Sequence, residues 1–181
     1  MLTRAELTRR QQQAAEFFQR SSIYLTGQEI QQIEIADFGL DQFEQTGLGV
    51  LVYVNTQRCC AKELAIWPGQ TCPQHRHPPV ADSPGKEETF RCRWGKVFVY
   101  VEGDATPDPA CKPPAGRQDT YTVWHQIELN PGGQYTLKPN TWHWFQAGDQ
   151  GAVVSEFSTR STDEHDIFTD DQIQRFTKVT G

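Results

Sequence analysis

Long apolar runs are missing from this chain. No stretch approaches the roughly 20 residues needed to span a bilayer. Residues 1–20 are rich in Arg, Gln and Glu and carry no apolar h-region of the kind that marks a secretory leader. Cationic excess is missing too: 17 Lys and Arg stand against 23 Asp and Glu, a net charge of -6. Nucleic-acid backbones and anionic lipid are both bound by clustered Lys and Arg, so neither nucleic acid nor membrane is an expected partner. These absences predict a cytoplasmic protein. Cysteine is scarce and unpaired in pattern. The five are Cys59, Cys60, Cys72, Cys92 and Cys111. An odd count without a C-x-x-C pair favours neither a zinc knuckle nor a disulfide framework, and predicts small buried hydrophobes instead. There is no internal repeat and no low-complexity tract.

What is present suits one globular domain over residues 1–181. Thr3-Arg4-Ala5-Glu6 reads as a capping box, in which the Thr hydroxyl and the Glu carboxylate satisfy orphan amides. It predicts a helix to about Ser21 with Leu7, Ala14, Phe17 and Phe18 on its apolar side. Thr26-Gly27-Gln28-Glu29 repeats the pattern. Residues 1–35 thus form a helical extension, expected to pack outside a sheet. From Leu48 the period changes to that of strands. Val50 to Val54, Cys59 to Trp67, Thr89 to Trp94, Lys96 to Glu102, Thr120 to Leu129, Tyr135 to Lys138, Trp142 to Ala147 and Ala152 to Ser158 are candidates. Pro68-Gly69, Gly95, Gly103-Asp104, Pro131-Gly132-Gly133 and Gly148-Asp149 punctuate them. Many short strands with Gly/Pro turns predict an all-β sandwich or barrel over residues 48–158. Asp104 to Asp119 reads as a long exposed loop. Residues 159–181 read as a charged tail docked by Ile167, Phe168, Ile173 and Phe176.

Four residues carry metal chemistry. His75 and His77 are two apart, and alternate residues of a strand share a face. Glu88 follows after a Pro-rich loop that can return the chain beside them. His143 comes from a separate hairpin. Three imidazoles and one carboxylate suit one borderline divalent ion per chain, and the lack of thiolate argues against a structural zinc site. On an octahedral ion they leave about two positions open for water or substrate oxygens. Mn²⁺ fits the set; Fe²⁺, Co²⁺ and Zn²⁺ are chemically open.

The spacing resembles the two cupin motifs. Gly69, His75 and His77 match G-x5-H-x-H, and Glu88 and Gly95 match E-x6-G. Gly133, Pro139 and His143 match the second motif, with Thr141 where cupins prefer Gly and Ala147 where they prefer Asn. The resemblance implies a small double-sheet, jelly-roll-type β-barrel with the metal inside. A narrower likeness is carried by Tyr53-Val54-Asn55-Thr56, Ala61-Lys62-Glu63-Leu64, Pro68 to His75, Lys86 to Phe90 and Ser155-Glu156-Phe157-Ser158. These segments resemble the D-lyxose isomerases, from about Ile35 to Phe176. That resemblance implies a metal-dependent aldose–ketose isomerase interconverting D-lyxose and D-xylulose, with D-mannose and D-fructose as a related pair.

Such a reaction needs a base that moves a proton between C2 and C1. Glu156, in the apolar run Val153 to Phe157, is the candidate. Lys86, two residues before Glu88, could donate to a substrate oxygen or stabilise an enediolate. Lys62 alternates with Leu64 and Ile66 and could point into the barrel. Asp166 could bind a sugar hydroxyl. Glu87 should point away. Trp142 and Trp144 are expected in the core rather than against a sugar. Two other readings use the same ligands: a different metal cupin such as an iron dioxygenase, and a non-catalytic sugar-binding cupin. A homodimer is expected, because uncovered strand edges invite pairing.

Overall fold

The computed structural model describes residues 1–181. Leu2–Thr3 (β1) leads into the helix Arg4–Arg20 (α1), and a second helix spans Gly27–Gln32 (α2). The strands are Glu34–Ala36 (β2), Leu48–Asn55 (β3), Cys60–Ile66 (β4), Thr71–Arg76 (β5), Glu88–Val101 (β6), His125–Leu129 (β7), Gln134–Leu137 (β8), His143–Ser158 (β9), Ile167–Phe168 (β10) and Val179–Thr180 (β11). Both capping boxes form. The Glu6 amide donates to Thr3 Oγ1 at 3.2 Å, and the Thr3 amide donates to Glu6 Oε2 at 2.8 Å. Thr26 and Glu29 repeat this geometry.

The main sheet runs in the order β10-β5-β9-β4-β3-β2, and β6 pairs with β7, β8 and β9. Every pairing in it is antiparallel. The period of two sorts residues between two cores. Leu48, Val50, Leu64, Ile66, Ala152 and Val154 face the barrel interior. Their neighbours Leu51, Ala65 and Val153 face outward, against Ala14, Phe17 and Phe18 of α1. The helices are therefore an outer cover. Phe38, just after β2, packs edge-on against Phe168 of β10, with ring centroids 5.9 Å apart. That contact brings the two ends of the strand order together and helps to curl the sheet shut.

β6 and β9 are long, with 14 and 16 residues. Sequence turns at Gly95 and Gly148 split each into two expected strands. In the structure these positions are irregularities inside continuous strands, with register shifts at Cys92/Trp94 and Gly95/Val97. Bulges bend and twist a strand without ending it. Gly95 has φ +70 and sits against the Gly151 carbonyl, where any Cβ would collide.

Three other expectations change. The strand expected from Thr120 begins only at His125, because the Thr122 and Val123 amides are taken by Gln74 Oε1 at 2.6 and 3.2 Å. The tail docks through Phe168 and Ile173, while Ile167 and Phe176 stay exposed. Cys59 is exposed, whereas the other four cysteines are buried and all five are free.

Gly95→Ala should destabilise the protein by about 2 kcal/mol or more, since it adds a left-handed backbone penalty to a clash with a carbonyl. Chemical denaturation measures this; a change under about 0.5 kcal/mol would mean that the β6–β9 bend relaxes freely.

Candidate active site

Strand pairing assembles the four expected metal-site residues. His75 on β5 lies directly opposite His143 on β9. His77 follows β5 by one residue. Glu88 opens β6, after a loop that Gly85 turns back onto His77: φ is +106 there, and a Cβ would strike the His77 carbonyl. All four side chains are buried.

The outer nitrogen of each imidazole has an acceptor. Nδ1 of His75 donates to the Pro73 carbonyl at 2.8 Å, and Nδ1 of His143 donates to the Thr141 carbonyl at 3.0 Å. Nδ1 of His77 donates to Asp166 Oδ1. A nitrogen facing a carbonyl must carry the proton, so in His75 and His143 the Nε2 lone pair points inward. The ligand atoms of the three histidines lie within 4.8 Å of one another. Glu88 Oε1 is 3.1 Å from Nε2 of both His77 and His143.

That arrangement fits a cation. His143 Nε2 is fully buried and has no hydrogen-bond partner, although a carboxylate oxygen stands 3.1 Å away. A lone pair facing a carboxylate is repulsive unless something positive lies between them. Adjacent ligands at about 2.1 Å from one ion are about 3.0 Å apart, close to the observed spacing. The neighbouring charges also govern proton affinity here. Burial and Lys86 work against a charged His77, yet the Glu88 and Asp166 carboxylates hold it up at about 9. Burial drives His75 well below the usual imidazole range, keeping it neutral. Burial also opposes ionisation of Glu88, but Lys86 and His77 hold its carboxyl well below the usual range. His77, Asp163 and Asp166 form a second group of converging ligand atoms that shares His77 with the first.

Beside the histidines lies a buried charge network. Lys86 is 4% exposed, and its Nζ is 2.7 Å from Glu88 Oε2 and 2.9 Å from Glu156 Oε1. Glu156 is 5% exposed and sits near the C-terminal end of β9, paired with Lys62 on β4 and Phe90 on β6. Lys62 Nζ is 3.5 Å from Glu156 Oε1 and 2.8 Å from Asp163 Oδ2. Asp163 also meets Lys86 at 3.8 Å and Arg175 at 3.1 Å, and Arg175 continues to Glu34. Burial lowers the Lys86 and Lys62 ammonium groups, but the surrounding carboxylates more than reverse this, leaving Lys86 well above its usual range and Lys62 raised. Such a cluster is not a stability device, because apolar groups of equal size would cost less to bury. Buried, coupled charges in a cleft mark a functional site.

His75, His77 and the charge network line one cavity. Its lining combines the charge network with the apolar groups Phe38, Leu48, Val50, Phe90, Phe145 and Phe168. That mixture suits a polyol with hydroxyl edges and C–H faces. Trp144 is fully buried, stacks on Tyr100 at 3.9 Å and donates to the Val123 carbonyl, as a core residue does. Trp142 instead lies half-buried under the Arg76 guanidinium, 4.7 Å away. Neither tryptophan lines the cavity. Glu87 is exposed, as expected.

Every other site candidate lines the cavity: Lys62, Lys86, Glu156 and Asp166. Asp166 is engaged differently from expectation. β10 pairs Ile167 with Arg76 and Phe168 with His75, so the next position sets Asp166 beside His77. Asp163, Arg175, Phe38 and Phe168 were not anticipated as site residues. Their only local signal is the alternation of Asp166 with Phe168, which puts two side chains on one strand face.

A family model described as D-lyxose isomerase matches residues 102–181. The D-lyxose/D-mannose isomerase of Thermosediminibacter oceani is 58% identical over 179 residues, covering 99% of each chain. The D-lyxose ketol-isomerase of a Thermofilum species is 50% identical over 179 residues, again covering 99% of each. Among solved structures, the L-ribose isomerase of Cellulomonas parahominis superposes with a TM-score of 0.83 over 99% of this chain and 98% of that one, at 19% identity. At that identity the likeness speaks for the fold alone, a cupin-type barrel. On the strength of its full-length relatives, the chain belongs to the D-lyxose isomerase family.

Proposed function

We propose that this protein is a divalent-metal aldose–ketose isomerase that interconverts D-lyxose and D-xylulose, with D-mannose and D-fructose as the corresponding hexose pair. The observation that carries the reading is the buried contact of Glu156 with Lys86, which also holds Glu88 beside the histidine cluster. A metal-binding protein without proton chemistry has no use for that second carboxylate.

His75, His77, Glu88 and His143 would hold one divalent ion, and Mn²⁺ suits this imidazole and carboxylate set. Bound there, it supplies Lewis-acid stabilisation of negative charge on sugar oxygens. Glu156 is the general base. Its Oε1 is held by Lys86 and Lys62, and its Oε2 makes no protein hydrogen bond and takes the proton from C2. The same oxygen returns the proton at C1 while the O2 hydroxyl proton passes to O1, which together convert aldose to ketose. Lys86 donates a hydrogen bond to the oxygen on which charge develops, a contribution that grows in a water-poor cavity. Lys62 steers Glu156. Asp163 and Arg175 reach into the cavity from the tail and can bind the remaining hydroxyls. Asp166 orients His77 rather than meeting the sugar directly.

The charges support this chemistry. Glu88, Glu156, Asp163 and Asp166 face Lys62, Lys86 and Arg175 around the cavity. With neutral histidines and a divalent ion, the lining carries one net positive charge, the sign an enediolate needs. The expected setting is a cytoplasmic homodimer.

The Mn²⁺-loaded protein should form D-xylulose from D-lyxose, and a ketose-specific assay over an aldose panel tests this; no product from D-lyxose or D-mannose would end the isomerase reading. Glu156→Gln should lower kcat by about 10²–10⁴-fold with metal content unchanged. Product made in D₂O should carry solvent deuterium at C1 if Glu156 exchanges its proton; full turnover by the variant would remove Glu156 from the base role. Asp166→Asn should weaken Mn²⁺ binding by about 10–100-fold, measured by titration calorimetry. Unchanged affinity would mean that His77 orients itself.

A further inference from the structure

We propose that Phe38 is the far wall of the sugar cavity and sets the length of aldose the site accepts. This rests on the isomerase reading for the identity of the ligand, and on the following geometry for the role.

Phe38 is 2% exposed and lines the cavity. Its backbone is in the left-handed region, with φ +53, a conformation that a bulky residue adopts only when its surroundings impose it. Those surroundings are explicit. The Gln174 amide donates to the Phe38 carbonyl at 2.9 Å. The Asp37 amide donates to Thr177 Oγ1 at 2.8 Å, and the Thr177 hydroxyl returns a bond to Asp37 Oδ1 at 2.8 Å. Gly39 follows with φ +72, pressed against Gln174. One strained residue and the glycine after it, stapled to the tail, hold the aromatic ring in place.

The strand order gives the ring its direction. Around the cavity come His75 on β5, Phe145 and Glu156 on β9, Lys62 on β4, Leu48 and Val50 on β3, then Phe38 after β2. Phe38 meets Phe168 of β10, and Phe168 stacks on His75 with centroids 5.4 Å apart. The circuit closes there, so Phe38 stands across the cavity from β9, which bears both Glu156 and His143. A sugar held by C1 and C2 against β9 directs its other end at Phe38. Leu48 and Val50 beside it are equally apolar, so this wall offers no hydrogen bond to an added hydroxymethyl group. A longer chain must find room by displacing the ring.

The test compares Phe38→Ala and Phe38→Leu with the wild type in the full-length Mn²⁺-loaded protein. The ratio of kcat/KM for D-mannose to that for D-lyxose should rise about tenfold or more in Phe38→Ala, the range one added carbon commands in an apolar pocket. Phe38→Leu should move the same way by less, and it carries the test if the alanine variant fails to fold. Calorimetric binding of D-mannitol against D-arabinitol reads the same length preference without turnover, and its ratio should shift in the same direction. If Phe38 only packs the core, both sugars and both polyols weaken together. A ratio within about twofold of wild type in a folded variant therefore overturns the proposal. A wild type that turns over neither aldose would end the isomerase reading instead, and the polyol ratio would still decide the role of Phe38.

Discussion

One buried ammonium group organises the cavity. Lys86 touches Glu88 on one side and Glu156 on the other, so the carboxylate that can ligate a metal and the carboxylate that can move a proton share one cation. Removing any member would strand a charge in a low-dielectric interior, at several kcal/mol. The network is thus rigid because its members are interdependent, and rigidity is what a proton transfer between neighbouring carbons requires. Lys62 and Asp163 extend the restraint to β4 and to the tail.

The fold exists around that cavity as two nested packings. Inward residues of β3, β4 and β9 form the barrel interior, and their outward neighbours form a second core under α1. The helices therefore stabilise the outside of strands whose inside is given over to costly charge. The C-terminal segment does more than dock. Through β10, Asp163 and Arg175 it supplies one side of the site, and through Gln174 and Thr177 it holds the strained turn at Phe38. Sheet closure and site completion are one event, because Phe38 and Phe168 contribute to both.

Much of this was legible in the chain. The Thr3 and Thr26 capping boxes are local hydrogen-bonding patterns, and both helices begin where those patterns say. His75 and His77 share a face because alternation is a property of the backbone. Lys62 could be read the same way from Leu64 and Ile66. Strand ends were harder to read. A glycine in a strand can turn the chain or merely bulge it, and only the partner strand decides which. Gly95 and Gly148 both took the second course. The strand expected from Thr120 was shortened by Gln74, a side chain 46 residues away whose competition for amides leaves no local trace.

The sequence by itself determined the chemical inventory: three histidines and a glutamate in metal-binding order, a β-rich barrel region, a helical cover, and a lysine and a glutamate that are candidates for hydrogen-bond donor and base. Those follow from spacing and side-chain type, which act over a few residues. Only the tertiary structure decided that Asp166 serves His77, that Asp163 and Arg175 belong to the cavity, and that the aromatic rings lining it are phenylalanines rather than tryptophans. Each of these depends on which distant strands become neighbours. That choice is made by burial summed over the whole sheet, and no short segment contains it.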